Sequence, residues 1–197
     1  MCCCSLFLTE TLLIPAGKQL SAVTHQNKKQ VQIKMSRTHR EVCVELRNLS
    51  SNYILHEPRH HLICGRCQDP LPPTIQPKET GKALFKKVPD TACGSVSVFT
   101  YSIMDKSSKQ DLGKLAVMFS NPYDFNLYSN WYAVGELKMQ KLCDYNLYYE
   151  MYYCNEIDFV RGKANGRSLS HEGRYVTVKA TMSDSWQPVL KVDVNNK

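Results

Sequence analysis

Short segments that alternate between apolar and polar residues recur along the chain after residue 40. In EVCVELRN, Val42, Val44 and Leu46 share one face, while Cys43, Glu45 and Arg47 share the other. A period of two is typical of half-buried β-strands. The same period recurs in GSVSVFTY (94–101), RYVTVKATM (174–182) and VLKVDVN (189–195), and LAVMF (115–119) has the continuous apolar character of a short buried strand.

Turn-forming residues separate these segments. They occupy 48–52, the proline-rich DPLPPTIQP at 69–77, 105–110 and 183–188. Many short strands joined by turns predict a mainly β protein, a single antiparallel β-sandwich. The tyrosines of KLCDYNLYYEMYY (141–153) instead recur at spacings of three and four, which predicts a short helix with rings on one face.

The first 40 residues differ in charge from the rest. They hold six bases and one acid, so they carry +5 of the chain's net charge of +7. A basic end attracts an anionic surface, either nucleic acid or lipid headgroups, although a solvated tail is an equal alternative. We expect an N-terminal segment at 1–40 and one globular domain at 41–197. No apolar run reaches the roughly 20 residues of a membrane-spanning helix, so we expect a soluble protein.

The cysteine and histidine residues do not complete a recognisable metal or catalytic motif. Nine cysteines in a chain of 197 residues are expected to be free thiols packed as small hydrophobes. His60, His61, Cys64 and Cys67 resemble half of a zinc site, but no second pair follows at close spacing. The sequence therefore predicts no metal, no cofactor, no catalytic residues and no small-molecule substrate. A metal- or thiol-dependent enzyme at His60, Cys64 and Cys67 is the rival hypothesis.

Aromatic residues are concentrated in one stretch. Of the 19 Phe, Trp and Tyr residues, 11 lie between Phe119 and Tyr153. Nine of these 11 are Tyr or Trp, and their neighbours include Asn, Asp and Ser, whereas ordinary core rings would lie among Val and Ile. Rings with polar tips suit a membrane interface, and ring faces suit a quaternary ammonium group. The two properties together predict a protein that binds phosphocholine lipids.

The same stretch resembles a known family. FSNPYDFNLYSNWYAVG (119–135) is similar to the FSVPYDYNWYSNWW signature of the actinoporins, the pore-forming cytolysins of sea anemones. LYYEMYYCNEIDFVRGKANG (147–166) resembles their MYEELYY…RGDNG stretch, and residues 81–101 resemble their GKALLY…GAVGVLAY. The resemblance runs from about Glu41 to the C-terminus. It implies a β-sandwich flanked by two short helices, of which the N-terminal one enters the membrane and lines an oligomeric pore.

The resemblance also implies a site for the lipid headgroup. Its members would be Pro122, Tyr128, Tyr148, Tyr152 and Tyr153, with Cys64 and Thr91 near the positions of a family serine and valine. Ring faces would contact the choline, and hydroxyls would contact the phosphate. Leu127, Trp131 and Tyr132 would meet the membrane interface. Leu127 stands where the toxins carry Trp, and the family's RGD tripeptide reads Arg161-Gly162-Lys163.

The function implied by the resemblance is binding of sphingomyelin-type lipids, followed by homo-oligomerisation into a cation-permeable pore. No nucleic acid partner is expected. Residues 16–35 would make a helix about 30 Å long, enough to cross the hydrocarbon core, unless translation begins at Met35. We expect a soluble, secreted protein that acts at a target cell membrane. A non-lytic lipid- or glycan-binding module and a cytosolic location are the alternatives.

Overall fold

The computed structural model describes residues 40–197, and these residues form one compact unit. The segment 1–39, with the predicted N-terminal helix, lies outside the described residues. Twelve strands and one helix follow in the order β1 Glu41–Asn48, β2 Tyr53–Cys64, β3 Arg66–Asp69, β4 Thr74–Ile75, β5 Thr80–Lys86, β6 Ser95–Asp105, β7 Asp111–Asn121, β8 Trp131–Leu137, α1 Tyr145–Tyr153, β9 Phe159–Lys163, β10 Leu169–Glu172, β11 Val176–Met182 and β12 Val189–Asn196.

The strands form two six-stranded sheets that pack as a sandwich. The first sheet has the order β10-β11-β12-β1-β5-β3, and the second has the order β4-β2-β6-β7-β8-β9. The predicted β-sandwich is confirmed. Its strands are antiparallel, as expected, with one exception, since β1 pairs with β12 in parallel.

The core lies between the two sheets and follows the alternation seen in the sequence. Val42, Val44 and Leu46 are buried, while the residues between them are more exposed. Strand β6 differs from its half-buried prediction, because Ser95 to Ile103 are buried on both faces. The reason is that a second apolar cluster covers its outer face, and α1 supplies part of that cluster.

Two predicted features need correction. The proline-rich turn at 69–77 contains the short strand β4, whose Ile75 is buried in the core. The cysteines are not all free thiols, because Cys64 and Cys93 form a disulfide. Cys43, Cys67, Cys143 and Cys154 are free, as the sequence led us to expect.

Candidate functional site

Helix α1 lies on the outer face of the second sheet. Its N-cap is Asp144, whose carboxylate accepts the backbone N–H of Leu147 at 3.0 Å and so satisfies a donor that the first turn leaves free. Leu147, Tyr148 and Met151 are buried by their contacts with the sheet. The helix predicted at 141–153 is therefore confirmed, beginning four residues later at Tyr145.

The tyrosines of α1 form two rows. The inner row is Tyr148 and Tyr152, whose ring centroids are 5.6 Å apart in a stacked arrangement. The outer row is Tyr145, Tyr149 and Tyr153, each about half exposed. The two rows meet at the end of the helix, where the rings of Tyr152 and Tyr153 lie edge to face at 4.7 Å. Tyr148, Tyr152 and Tyr153 are thus brought together as predicted.

Tyr152 is the centre of this cluster. Burial raises the pKa of its hydroxyl, and the nearby Tyr128 acts in the same direction, while a hydrogen bond with Ser120 and the charge of Arg161 oppose them. The hydroxyl therefore stays protonated at neutral pH and can donate to an anionic oxygen. Arg161 also donates from Nη1 to the carbonyl oxygen of Tyr152 at 2.6 Å, which fixes its guanidinium beside the cluster.

Trp131 lies at the edge of the tyrosine cluster and is half-buried. Its ring centroid is 6.2 Å from that of Tyr152. The guanidinium of Arg161 lies 5.0 Å from the indole centroid, and the ammonium of Lys163 lies 5.8 Å from it. The indole is thus surrounded by two cations and a tyrosine, which leaves it a smaller free surface than an isolated interfacial tryptophan would have.

Pro122, Leu127 and Tyr128 belong to the segment 122–129 between β7 and β8. Leu127 is 73% exposed and Tyr128 is 50% exposed, so both side chains face solvent. The backbone of Pro122 is held in place by the buried Arg40, whose Nε donates to the carbonyl oxygen of Pro122 at 2.8 Å. The backbone at Pro122 also packs closely against Gly94, where an added Cβ would lie 2.1 Å from the carbonyl oxygen of Asn121.

Three predicted site residues do not lie where we expected them. Tyr132 is fully buried in the core, and its hydroxyl donates to the carbonyl oxygen of Arg167 at 2.6 Å. Its assignment to the membrane interface is wrong. Successive side chains of β8 point to opposite faces of the sheet, so Tyr132 points into the core while Trp131 points outward. Cys64 packs against the outer cluster but is bonded to Cys93, so it has no S–H to donate. Thr91 donates from Oγ1 to the carbonyl oxygen of Val88 at 2.8 Å and so binds within its own loop.

Two residues of the cluster, Ser120 and Arg161, are not among the site residues predicted from the sequence. Ser120 follows Phe119, a core residue, so the period of two places Ser120 on the outer face towards Tyr152. That signal was present in the sequence. Arg161 stands out in the sequence only as part of the altered RGD tripeptide, because its contact with Trp131 depends on the pairing of β8 with β9, which the sequence does not reveal.

The arrangement combines ring faces, protonated hydroxyls and a fixed cation. Ring faces attract an alkylammonium group, while hydroxyls and a guanidinium bind phosphate oxygens. Across residues 40–197, no group of three or more His, Cys, Asp or Glu side chains is placed to hold a metal ion. No helix in that range is both long enough and apolar enough to cross a bilayer.

The chain matches known proteins in sequence and in fold. The sequence model described as sea anemone cytotoxic protein matches residues 25–196. Cytolysin tenebrosin-B from Actinia tenebrosa is 36% identical over 118 residues, which cover 58% of this chain and 51% of that protein. DELTA-actitoxin-Aas1a from Anthopleura asiatica is 42% identical over 78 residues, or 38% of this chain and 34% of that protein. The matches thus span about half of the relatives' length, or less.

The fold is also similar to that of a solved structure. The lipid-binding protein Nakanori superposes with a TM-score of 0.63 at 11% sequence identity, covering 87% of this chain and 78% of its own. At that identity the likeness concerns the fold, a β-sandwich, and nothing finer.

Proposed function

Because this chain belongs to the sea anemone cytotoxic protein family, the actinoporins, we propose that it is a pore-forming, cytolysin-like protein. It binds phosphocholine headgroups of the sphingomyelin type, oligomerises in the membrane and forms a cation-permeable pore. Its action requires no catalytic step. The observation that carries the proposal is the cluster of Tyr148, Tyr152 and Tyr153 at the end of α1, with Tyr128 and Arg161 beside it.

The parts of the headgroup have complementary partners in this cluster. The choline lies against the ring faces of Tyr152 and Tyr153, each of which contributes about 1–2 kcal/mol when the cation is desolvated. The phosphate accepts from the Tyr152 and Tyr128 hydroxyls and is attracted by the positive charge of Arg161. We place Pro122 at the wall of this site, and Trp131 and Leu127 at its membrane side.

The disulfide between Cys64 and Cys93 supports action outside the cell. Disulfides form and persist in oxidising compartments and are rare in the cytosol. We therefore propose that the protein is secreted and acts on the surface of a target cell.

A non-lytic lipid- or glycan-binding module is the second candidate. The observation that favours it is Leu127, which stands 73% exposed where the toxins carry Trp. An indole binds the headgroup layer better than a leucine does, because it has both an apolar body and a polar N–H group. Weaker membrane binding would then leave recognition without pore formation.

Sedimentation with vesicles tests the proposed headgroup site. The full-length protein is expected to pellet with vesicles of phosphatidylcholine and sphingomyelin, and the variant Tyr152→Ala/Tyr153→Ala is expected to stay in the supernatant. Tyr145→Ala is the matched control, since Tyr145 is 47% exposed, as against 50% for Tyr153, but lies at the other end of α1. A double variant that pellets as well as the wild type would show that the pocket is assigned to the wrong residues.

A further inference from the structure

Trp186 is an exposed indole that the proposed headgroup site does not use. It lies in the loop 183–188 between β11 and β12, and 60% of its surface is exposed. Tryptophan is usually well buried in folded proteins. Turn residues are enough to make a tight connection between two strands. Forming this loop therefore does not by itself require an exposed tryptophan at position 186.

The loop that carries Trp186 is hydrogen-bonded to the two residues that flank the segment 122–129. Asn121 donates from Nδ2 to the carbonyl oxygen of Trp186 at 3.2 Å. Asn130 donates from Nδ2 to the carbonyl oxygen of Ser185 at 2.9 Å and to Oδ1 of Asp184 at 3.1 Å. Asn121 and Asn130 are both fully buried. The loop from the first sheet and the segment from the second sheet therefore form one fixed surface, which we call the aromatic end of the sandwich.

Arg40 holds the rings of this surface in place. Its guanidinium carbon lies 5.1 Å from the ring centroid of Trp186, 4.8 Å from that of Phe125 and 5.9 Å from that of Tyr123. Nη2 of Arg40 donates to the carbonyl oxygen of Tyr123 at 2.6 Å. Arg40 is only 4% exposed, so it lies beneath the rings and leaves their outer sides to solvent.

The aromatic end presents apolar side chains beside positive charge. Leu127, Tyr128 and Trp186 are each at least half exposed, and Tyr123 is 38% exposed. The ammonium of Lys87 lies 5.4 Å from the ring centroid of Tyr123. An indole with a free face suits the boundary between acyl chains and headgroups, and a neighbouring ammonium suits the lipid phosphates.

We infer that Trp186, together with Leu127, is the membrane anchor of this protein, and that its partner is the headgroup layer of a phosphocholine-lipid bilayer. The inference rests on the proposed function, since Tyr128 belongs both to this surface and to the headgroup site. It assigns the deeper contact to Trp186 and the shallower one to Trp131, whose ring is covered by Arg161, Lys163 and Tyr152. The loop between β11 and β12 thereby supplies the indole that the position of Leu127 lacks.

Tryptophan fluorescence tests the inference directly, because the chain has only two tryptophans. Trp131→Phe leaves Trp186 as the only indole, and Trp186→Phe leaves Trp131. With saturating vesicles of phosphatidylcholine and sphingomyelin, emission from Trp186 is expected to shift to shorter wavelength and to be quenched by lipids brominated just below the headgroup. Emission from Trp131 is expected to shift and be quenched less. An unchanged Trp186 emission from sedimented protein would overturn the inference and leave the headgroup site standing.

Partitioning of variants into the same vesicles gives an independent measure. Trp186→Ala is expected to weaken partitioning about tenfold, because the apolar body of the indole no longer leaves water, and Trp186→Phe is expected to recover part of the loss. Leu142→Ala is the matched control, since Leu142 is 67% exposed but lies away from the aromatic end. Its neighbour Lys141 accepts a hydrogen bond through its carbonyl oxygen from Lys114, which lies near the start of β7, whereas the aromatic end adjoins the last residue of that strand. Equal partitioning of Trp186→Ala and wild type would overturn the inference. A wild-type protein that fails to bind would overturn the proposed function as well.

Discussion

Arg40 shows how much one residue can determine at the aromatic end. It is a buried cation that donates to the carbonyl oxygens of Pro122 and Tyr123 and touches three rings. Burial lowers the pKa of its guanidinium, yet the group remains charged because arginine titrates far above neutral pH. The segment 122–129 therefore depends on a residue more than 80 positions earlier in the chain.

We expect Arg40→Gln to lower the free energy of unfolding by about 2–3 kcal/mol, because two carbonyl groups lose a charged donor. The measurement is urea denaturation followed by circular dichroism. Arg47→Gln is the control, since Arg47 is exposed and its ion pair with Asp193 is screened by solvent, so we expect only a small loss of stability. If both variants lost the same small amount of stability, Arg40 would not organise this end.

For single residues, the sequence predicted which face of a strand a side chain occupies better than it predicted how exposed that side chain is. The period of two placed Val42, Val44 and Leu46 in the core, and the same period in WYAVG separates Trp131 from Tyr132. The resemblance to the actinoporins nonetheless assigned Tyr132 to the membrane interface, because a sequence motif does not show which of its rings are buried. No local pattern singles out Trp186, since its partner Arg40 is distant in sequence and the contact arises only in the folded chain.

At the scale of elements, the disulfide joins the end of β2 to the loop between β5 and β6. Cys64 and Cys93 are 29 residues apart in sequence, and Cys64 packs against the cluster beneath α1. The bond therefore fixes the loop that carries Thr91 next to the sheet that supports the tyrosines.

We expect Cys64→Ala/Cys93→Ala to reduce the free energy of unfolding by about 3 kcal/mol, because the unfolded chain regains the freedom of a closed loop of this length. Urea denaturation of the variant and of the wild type, the latter with and without a reducing agent, measures the effect. Cys43→Ala is the control, as Cys43 is a free thiol. A wild-type midpoint that is insensitive to reduction and equal to that of the double variant would contradict the role of the bond.

The helix shows where prediction of an element succeeds and where it stops. Tyrosines at spacings of three and four specified α1 correctly, because the spacing is local to the element. Which row faces the sheet depends on where the helix docks. The burial of Tyr148 and the half exposure of Tyr149 follow from the outer apolar cluster of the second sheet, which strand sequences alone did not reveal.

At the scale of the whole molecule, His171 links stability to pH. It is buried in β10, and burial lowers its pKa below the usual 6.5, although Glu136 and Asp158 act in the opposite direction. The unfolded chain therefore binds a proton more readily than the folded one. The stabilisation from neutral His171 is fully present above pH 6.5 and is lost as the pH falls through the lowered, folded-state pKa.

We therefore expect the free energy of unfolding to decrease between pH 7.5 and pH 5.5, and to decrease less in His171→Gln, which does not titrate there. Urea denaturation at several pH values gives both slopes. His61→Gln is the control, because His61 lies in β2 and is more exposed than His171. Identical slopes for His171→Gln and the wild type would exclude His171 as the source.

The sandwich as a whole was largely predictable, because alternation and turn residues are local signals repeated along the chain. Its pairing was not. The parallel contact between β1 and β12 joins the two ends of the described chain, and Gly65, with φ of 98°, lets the chain pass from β2 in the second sheet to β3 in the first. The pairing of β1 with β12 brings Arg40 near Trp186, and the pairing of β8 with β9 brings Arg161 to Trp131. Both contacts shape the site.

Release of calcein from vesicles that contain sphingomyelin tests the central claim most directly. The full-length protein is expected to release the dye, Tyr145→Ala is expected to release it equally, and Tyr152→Ala/Tyr153→Ala is expected to release little. Such a result would connect the tyrosine cluster to membrane permeabilisation. Full sedimentation of the wild type with these vesicles, but without any release, would contradict pore formation and favour the non-lytic module.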